Sequence, residues 1–143
     1  MYETLSSSVA GALGNGLPVL LLQFATCIVL LVVGVMVYTF VTPFHERELL
    51  REGNVAAATV LSGTVVALAI PLAALLATTR AVLDIVVWGI VALLLQLVTV
   101  VVASYVMRGL KLRIDEGSIA AALPITAAQL AIALLNAAGM IPV

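Results

Sequence analysis

The chain has 143 residues, 64% of them hydrophobic and 9% charged, with a formal net charge of −1 and a mean hydropathy of +1.31. About a quarter of the residues in a soluble domain are charged, so a soluble domain is excluded, and the charge leaves no nucleic-acid footprint. Cys27 is the single cysteine and stands within an apolar run, which excludes an intrachain disulfide and a thiolate metal site.

The first sixteen residues carry Glu3 and no Lys or Arg, so the basic start of a cleavable signal peptide is missing. The next run, Leu17–Val41, is the first of four predicted spans; the others are Asn54–Ala77, Asp84–Val106 and Ser118–Ile141. At ~1.5 Å per residue each covers ~35 Å, enough for a ~30 Å hydrocarbon core with some tilt. Only a helix satisfies its backbone within a single span, and the alternation of a membrane barrel is absent. The first connector, Thr42–Gly53, is punctuated as a short interfacial helix, with Thr42 as N-cap, Pro43 in the first turn and Gly53 at the C′ position. Asn54 and Ser118, each following a glycine, suit the N-caps of the second and fourth spans. His45 lacks a neighbouring nitrogen or thiolate, and no metal site is expected.

Glu52-Gly53-Asn54-Val55-Ala56-Ala57-Ala58 returns 64 positions later as Glu116-Gly117-Ser118-Ile119-Ala120-Ala121-Ala122. Each half then reads as span, charged connector, span. The expected fold is all-α: a single membrane domain (1–143) of four transmembrane helices in two tandem parallel repeats, 17–77 and 84–141, with short interfacial helices in the connectors. Arg47, Arg51, Arg108, Lys111 and Arg113 lie on the connector side, against Arg80 alone on the other. The positive-inside rule places the connectors in the cytoplasm and both termini outside. Tyr38, Phe40, Phe44 and Tyr105 are expected to mark the cytoplasmic boundary, with Phe24 and Trp88 in the outer third.

Ala, Gly, Ser and Thr supply 4 of 25 residues in the first span, 12 of 24 in the second, 5 of 23 in the third and 12 of 24 in the fourth. Small residues let membrane helices approach closely. The second and fourth spans are therefore expected to be buried, and the first and third to face lipid. Thr59, Gly63 and Ala67 form one small-residue row; Ala127 with Ala131, and Ala133 with Ala137, form others. Pro71 and Pro124 each free a carbonyl, near Ala67 and Ala120, and are expected to kink their helices.

No ionisable residue lies within the middle of a span, which argues against a proton relay and a voltage sensor. Asp84, at the start of the third span, is the nearest ionisable candidate for a pore or polar-packing role; a carboxylate there also complements the helix dipole, with Arg80 four residues away. The amides Gln96, Gln129 and Asn136, with Gln23, are candidates for interhelical packing or for a polar lining; Asn54 is a candidate for a polar lip. No catalytic triad, phosphate loop or carboxylate pair is present, so neither an enzyme nor a cofactor is expected.

Thr42-Pro43, Gly53-Asn54-Val55-Ala56-Ala57, Ser62-Gly63, Ile70-Pro71-Leu72, Trp88-Gly89, Gln96-Leu97 and Asn136-Ala137-Ala138 stand in an order and spacing that resembles the bacterial domain-of-unknown-function 350 family, the YjfL-like inner-membrane proteins. The resemblance covers nearly the whole chain from the first span onwards. It implies a four-helix inner-membrane protein in two tandem repeats, and no assigned activity. The second half departs from the first in having Ser118 for Asn54 and no proline matching Pro71. Two functions compete: a homo-oligomeric ion or small-solute channel or permease, with its path between repeats or protomers, and a non-catalytic accessory or scaffold protein that binds a membrane partner.

Overall fold

The computed structural model describes residues 2–42, 46–107 and 109–141, with side chains from residue 6 onwards. Pro43, Phe44, His45 and Arg108, to which the sequence assigns cap, boundary and charge roles, lie outside the described residues. Among the described residues six helices follow in order: α1 (Tyr2–Val41), α2 (Glu46–Arg51), α3 (Val55–Thr78), α4 (Val82–Val106), α5 (Leu110–Asp115) and α6 (Ile119–Gly139). The four long ones are long and apolar enough to cross a membrane. α1 begins fifteen residues before the expected Leu17. The preceding Ser- and Gly-containing stretch is too polar to register as a span, yet nothing in it stops a helix, and Pro18 deletes one backbone bond without ending it. α3 and α6 likewise run unbroken through Pro71, which is buried, and Pro124, which is exposed.

Both connectors close in the same way. Gly53 N–H donates to Leu50 O and Asn54 N–H to Leu49 O; 64 positions on, Gly117 N–H donates to Ile114 O and Ser118 N–H to Arg113 O. Gly53 and Gly117 sit at φ +76° and +81°, the left-handed conformation that this helix stop requires. Thr42 closes the end of α1, its hydroxyl and its N–H both donating to Tyr38 O; the N–H groups it would cap in the connector lie outside the described residues.

α3 and α6 form the most extensive helix pair. A Cβ at Gly63 would collide with Thr126 of α6, so this glycine permits the close approach. α1 and α4 meet reciprocally: Gly34 receives Leu93, and Gly89 receives Leu30. The pairs 34–93 and 30–89 advance together, so α1 and α4 run parallel; the pairs 63–126 and 64–129 make α3 parallel to α6. Burial across the apolar stretches runs from 44% in α3 through 33% in α4 and 28% in α6 to 17% in α1. This revises the expectation for the second half, since α4 is the better covered of its two long helices. Small residues bring α6 close along one face only, and its Ala127 and Ala131 stay exposed on the other.

Candidate functional site

Two apolar clusters fill the interior, one towards the connectors and one towards the termini. The first gathers Ala56, Ala57, Val60, Leu110, Ile114, Ala121, Ala122 and Ile125; the second gathers Cys27, Leu68, Leu72, Leu75, Ile85 and Leu93. Along α3 the gap between Val60 and Leu68 holds Gly63 and Thr64, while on α6 Thr126 and Gln129 follow Ile125, and on α4 Gln96 follows Leu93. Polar side chains therefore occupy the level between the clusters. Thr64, Gln96 and Gln129 lie nine or ten residues from the connector ends of their helices, ~15 Å into a ~30 Å slab. That is close to the bilayer midplane.

Gln96 Nε2 donates to Gln129 O at 2.6 Å, tying α4 to α6. Thr64 Oγ1 has one proton to share between Val60 O at 2.8 Å and Gln129 Oε1 at 3.0 Å. Tyr38 reaches the same group from α1: it is fully buried, and its hydroxyl lies beside the side chains of Glu46, Thr64 and Gln129. The expected boundary role for Tyr38 is thus corrected, because a residue enclosed by three helices cannot face the interface. Phe40 and Tyr105 do face outward, at 80% and 83% exposure, as do Phe24 and Trp88.

Glu46 completes the layer from the connector. Although it opens the short helix α2, it is 2% exposed. Burial pushes its carboxyl up to about 7, and the neighbouring Tyr38 hydroxyl opposes this by favouring the charged form. Six buried side-chain atoms among the described residues find no hydrogen-bond partner in the protein: Tyr38 OH, Glu46 Oε1 and Oε2, Gln96 Oε1, Thr126 Oγ1 and Gln129 Nε2. All six belong to this layer, and each costs on the order of 1–3 kcal/mol, more for a charge. Such a concentration in one place calls for a functional account.

The other candidates lie elsewhere. Asn136 is two helical turns beyond Gln129 and donates to Ala92 O at 3.2 Å, beside a cleft of about 380 Å³ near the chain termini. Gln23 donates to the Thr79 and Arg80 carbonyls, holding α1 to the α3–α4 turn. Asn54 caps α3 through Ala57 N–H and also donates to Ile114 O at 2.8 Å and Asp115 O at 3.2 Å, which joins the two connectors. Asp84 is exposed. Of the packing rows, Gly63, Ala67 and Ala133 are buried and Thr59 and Ala137 half-buried. No three His, Cys, Asp or Glu side chains gather to hold a metal among the described residues.

Glu46, Tyr38, Thr64 and Thr126 escape a search for ionisable residues within spans, because a span-by-span scan assigns Glu46 to solvent. The sequence does hold a signal for it. The residue 64 positions after Glu46 is Leu110, which heads α5 and is buried like its counterpart. A carboxylate stands where the other half has a leucine.

The model of a family described as a domain of unknown function, DUF350, matches residues 12–140. The chain belongs to the DUF350 family. It is 29% identical over 113 residues to the UPF0719 inner membrane protein YjfL of Escherichia coli K12, covering 79% of this chain and 86% of the relative. The protein of that name from strain O157:H7 matches to the same extent. No solved structure matches. With four helices able to cross a bilayer, this DUF350 chain is a multi-pass inner-membrane protein.

Proposed function

We propose that this DUF350 protein is a conduit for ions or small polar solutes, built from several copies of the chain, with the buried polar layer as the narrow part of the path between its two halves. The observation that carries the reading is the layer itself. Polar atoms near the bilayer midplane are expensive and are found where a bundle interior handles water, ions or solutes. Here all four spans contribute one, along with the carboxylate of α2. The halves α1–α3 and α4–α6 read as two copies of one helical hairpin. Support comes from their shared order of long, short and long helices, their identical connector bonds and the parallel course of like helices. The basic connectors face the cytoplasm and the termini face outward. Leu68, Leu72 and Leu93 seal the layer on the outer side, so the described conformation is closed. Ala127 and Ala131, small and exposed on α6, offer a surface for assembly with further copies.

Flux through proteoliposomes tests this. The wild type should pass small ions or solutes selectively; Gln129→Leu and Gln96→Leu should lose that flux, and Asp84→Asn should keep it. A well-folded wild type that passes nothing across a broad set of ions and solutes overturns the reading. One observation favours the alternative of an accessory protein. Residues 6–22 of α1 are all exposed, so ~25 Å of helix stands clear of the bundle and could meet a membrane partner. Photo-crosslinking from position 13 to another membrane protein, together with silent liposomes, would support it.

A further inference from the structure

We propose that Glu46 and Tyr38, with Thr64 and Gln129 against the Tyr38 hydroxyl, form a binding site for a monovalent cation — a proton or a desolvated alkali ion — at the connector-side mouth of the polar layer. The inference rests on the conduit reading and names what the conduit carries.

Three observations point to a cation. Three of the six unpartnered atoms, the two carboxylate oxygens of Glu46 and the amide oxygen of Gln96, are acceptors, and the Tyr38 and Thr126 hydroxyls can turn their lone pairs to a cation as well. Both carboxylate oxygens of Glu46 are buried with no close hydrogen bond among the described residues; the Tyr38 hydroxyl alone favours the charged form, and a buried anion with so little compensation is costly to hold. A positive species removes that cost. Finally, the fold does not need an acid here, since Leu110 fills the corresponding place in α5 with a buried apolar side chain.

Among the described residues no cationic group acts on Glu46. Among the described residues, Tyr38 of α1 is the titratable group that acts on it. Thr64 of α3 and Gln129 of α6, which act on the Tyr38 hydroxyl, do not titrate. Arg47 and Arg51 share α2 with Glu46 but are exposed. Burial raises the carboxyl into the neutral range, where a proton and an alkali ion compete for the same two oxygens. The chemistry is that of a hard monovalent ion bound by carboxylate, hydroxyl and amide oxygens; a transition metal would want more His, Cys or carboxylate ligands than gather here among the described residues.

Infrared difference spectroscopy of the whole protein in lipid nanodiscs reads the site directly through the C=O stretch of a protonated carboxyl. The pH is varied across the neutral range in sodium, potassium and bulky organic-cation buffers. The wild type should show one carboxyl titrating near neutrality that is missing from Glu46→Gln. Tyr38→Phe should move its midpoint upward, by about one pH unit or less, because the hydroxyl that favours the charged form is gone. If sodium or potassium abolishes the band at fixed pH, the bound species is the alkali ion; if neither does, it is the proton. A Glu46 that stays ionised throughout and responds to no cation overturns the proposal. So does a Glu46→Gln spectrum that matches the wild type. Should Glu46→Gln fail to fold, Glu46→Asp and Tyr38→Phe carry the same readout. Flux separates the two readings. Silent liposomes with an intact titration remove the conduit and keep the site. Cation flux that survives in Glu46→Gln, with no titrating carboxyl, removes the site and keeps the conduit.

Discussion

Glu46 couples the stability of the protein to pH. Its carboxyl is raised from 4.5 to about 7 in the folded protein. Folding therefore favours the protonated form, and the sign follows. The penalty is absent below about 4.5, grows as the pH rises, and is complete above about 7. At about 1.4 kcal/mol per unit this amounts to ~3 kcal/mol, as an order of magnitude. The wild type should therefore melt at progressively lower temperature as the pH climbs through this window. Glu46→Gln should flatten the profile and be the more stable protein at alkaline pH, as thermal melts in nanodiscs would show. Gly63→Ala drives a Cβ into Thr126 and should cost about 1–3 kcal/mol. Adding Thr126→Ala removes the colliding methyl and should recover most of that loss, a non-additivity that a double-mutant cycle measures.

At the scale of elements, the duplicated connector motif has unequal halves. Each glycine ends its short helix by the same left-handed turn, and this much follows from residue type, since only glycine takes that conformation cheaply. Asn54 then makes three side-chain hydrogen bonds, two of them to the far connector, whereas Ser118 makes no cap bond through its side chain. Asn54→Ala should accordingly lower stability by about 1–2 kcal/mol and loosen the two connectors against each other, while Ser118→Ala should be close to neutral. Hydrogen exchange at residues 110–118 would report the difference. The cap at Asn54 is legible in the motif; its bond across to α5 is not, because a serine is too short to reveal by analogy what the longer amide reaches.

For the molecule as a whole, the distribution of small residues is a partial guide to packing. It places α3 correctly among the enclosed helices and α1 among the lipid-facing ones, but it overstates α6 and understates α4. Leucine and valine on α4 are divided between an inner face, with Ile85, Leu93 and Val100 buried, and an outer face, with Leu94 and Val98 exposed. Composition averages over both. Tryptophan scanning should find Leu94→Trp and Val98→Trp tolerated, whereas Ala67→Trp, Ala92→Trp and Ala133→Trp, all at 0% exposure, should abolish the folded state, as judged by size-exclusion chromatography in detergent.

Four spans and the glycine stops between them are properties of the chain read residue by residue, because hydropathy and backbone conformation are local. The amides Gln96 and Gln129 are visible in the same way, as polar residues inside apolar helices. That they share one level with Tyr38, Thr64 and Thr126 is a matter of helix register between segments distant in sequence, and no local pattern encodes it. Glu46 is the clearest case. By position it belongs to a charged connector, and only the packing of α2 against the ends of the long helices takes its carboxylate out of water.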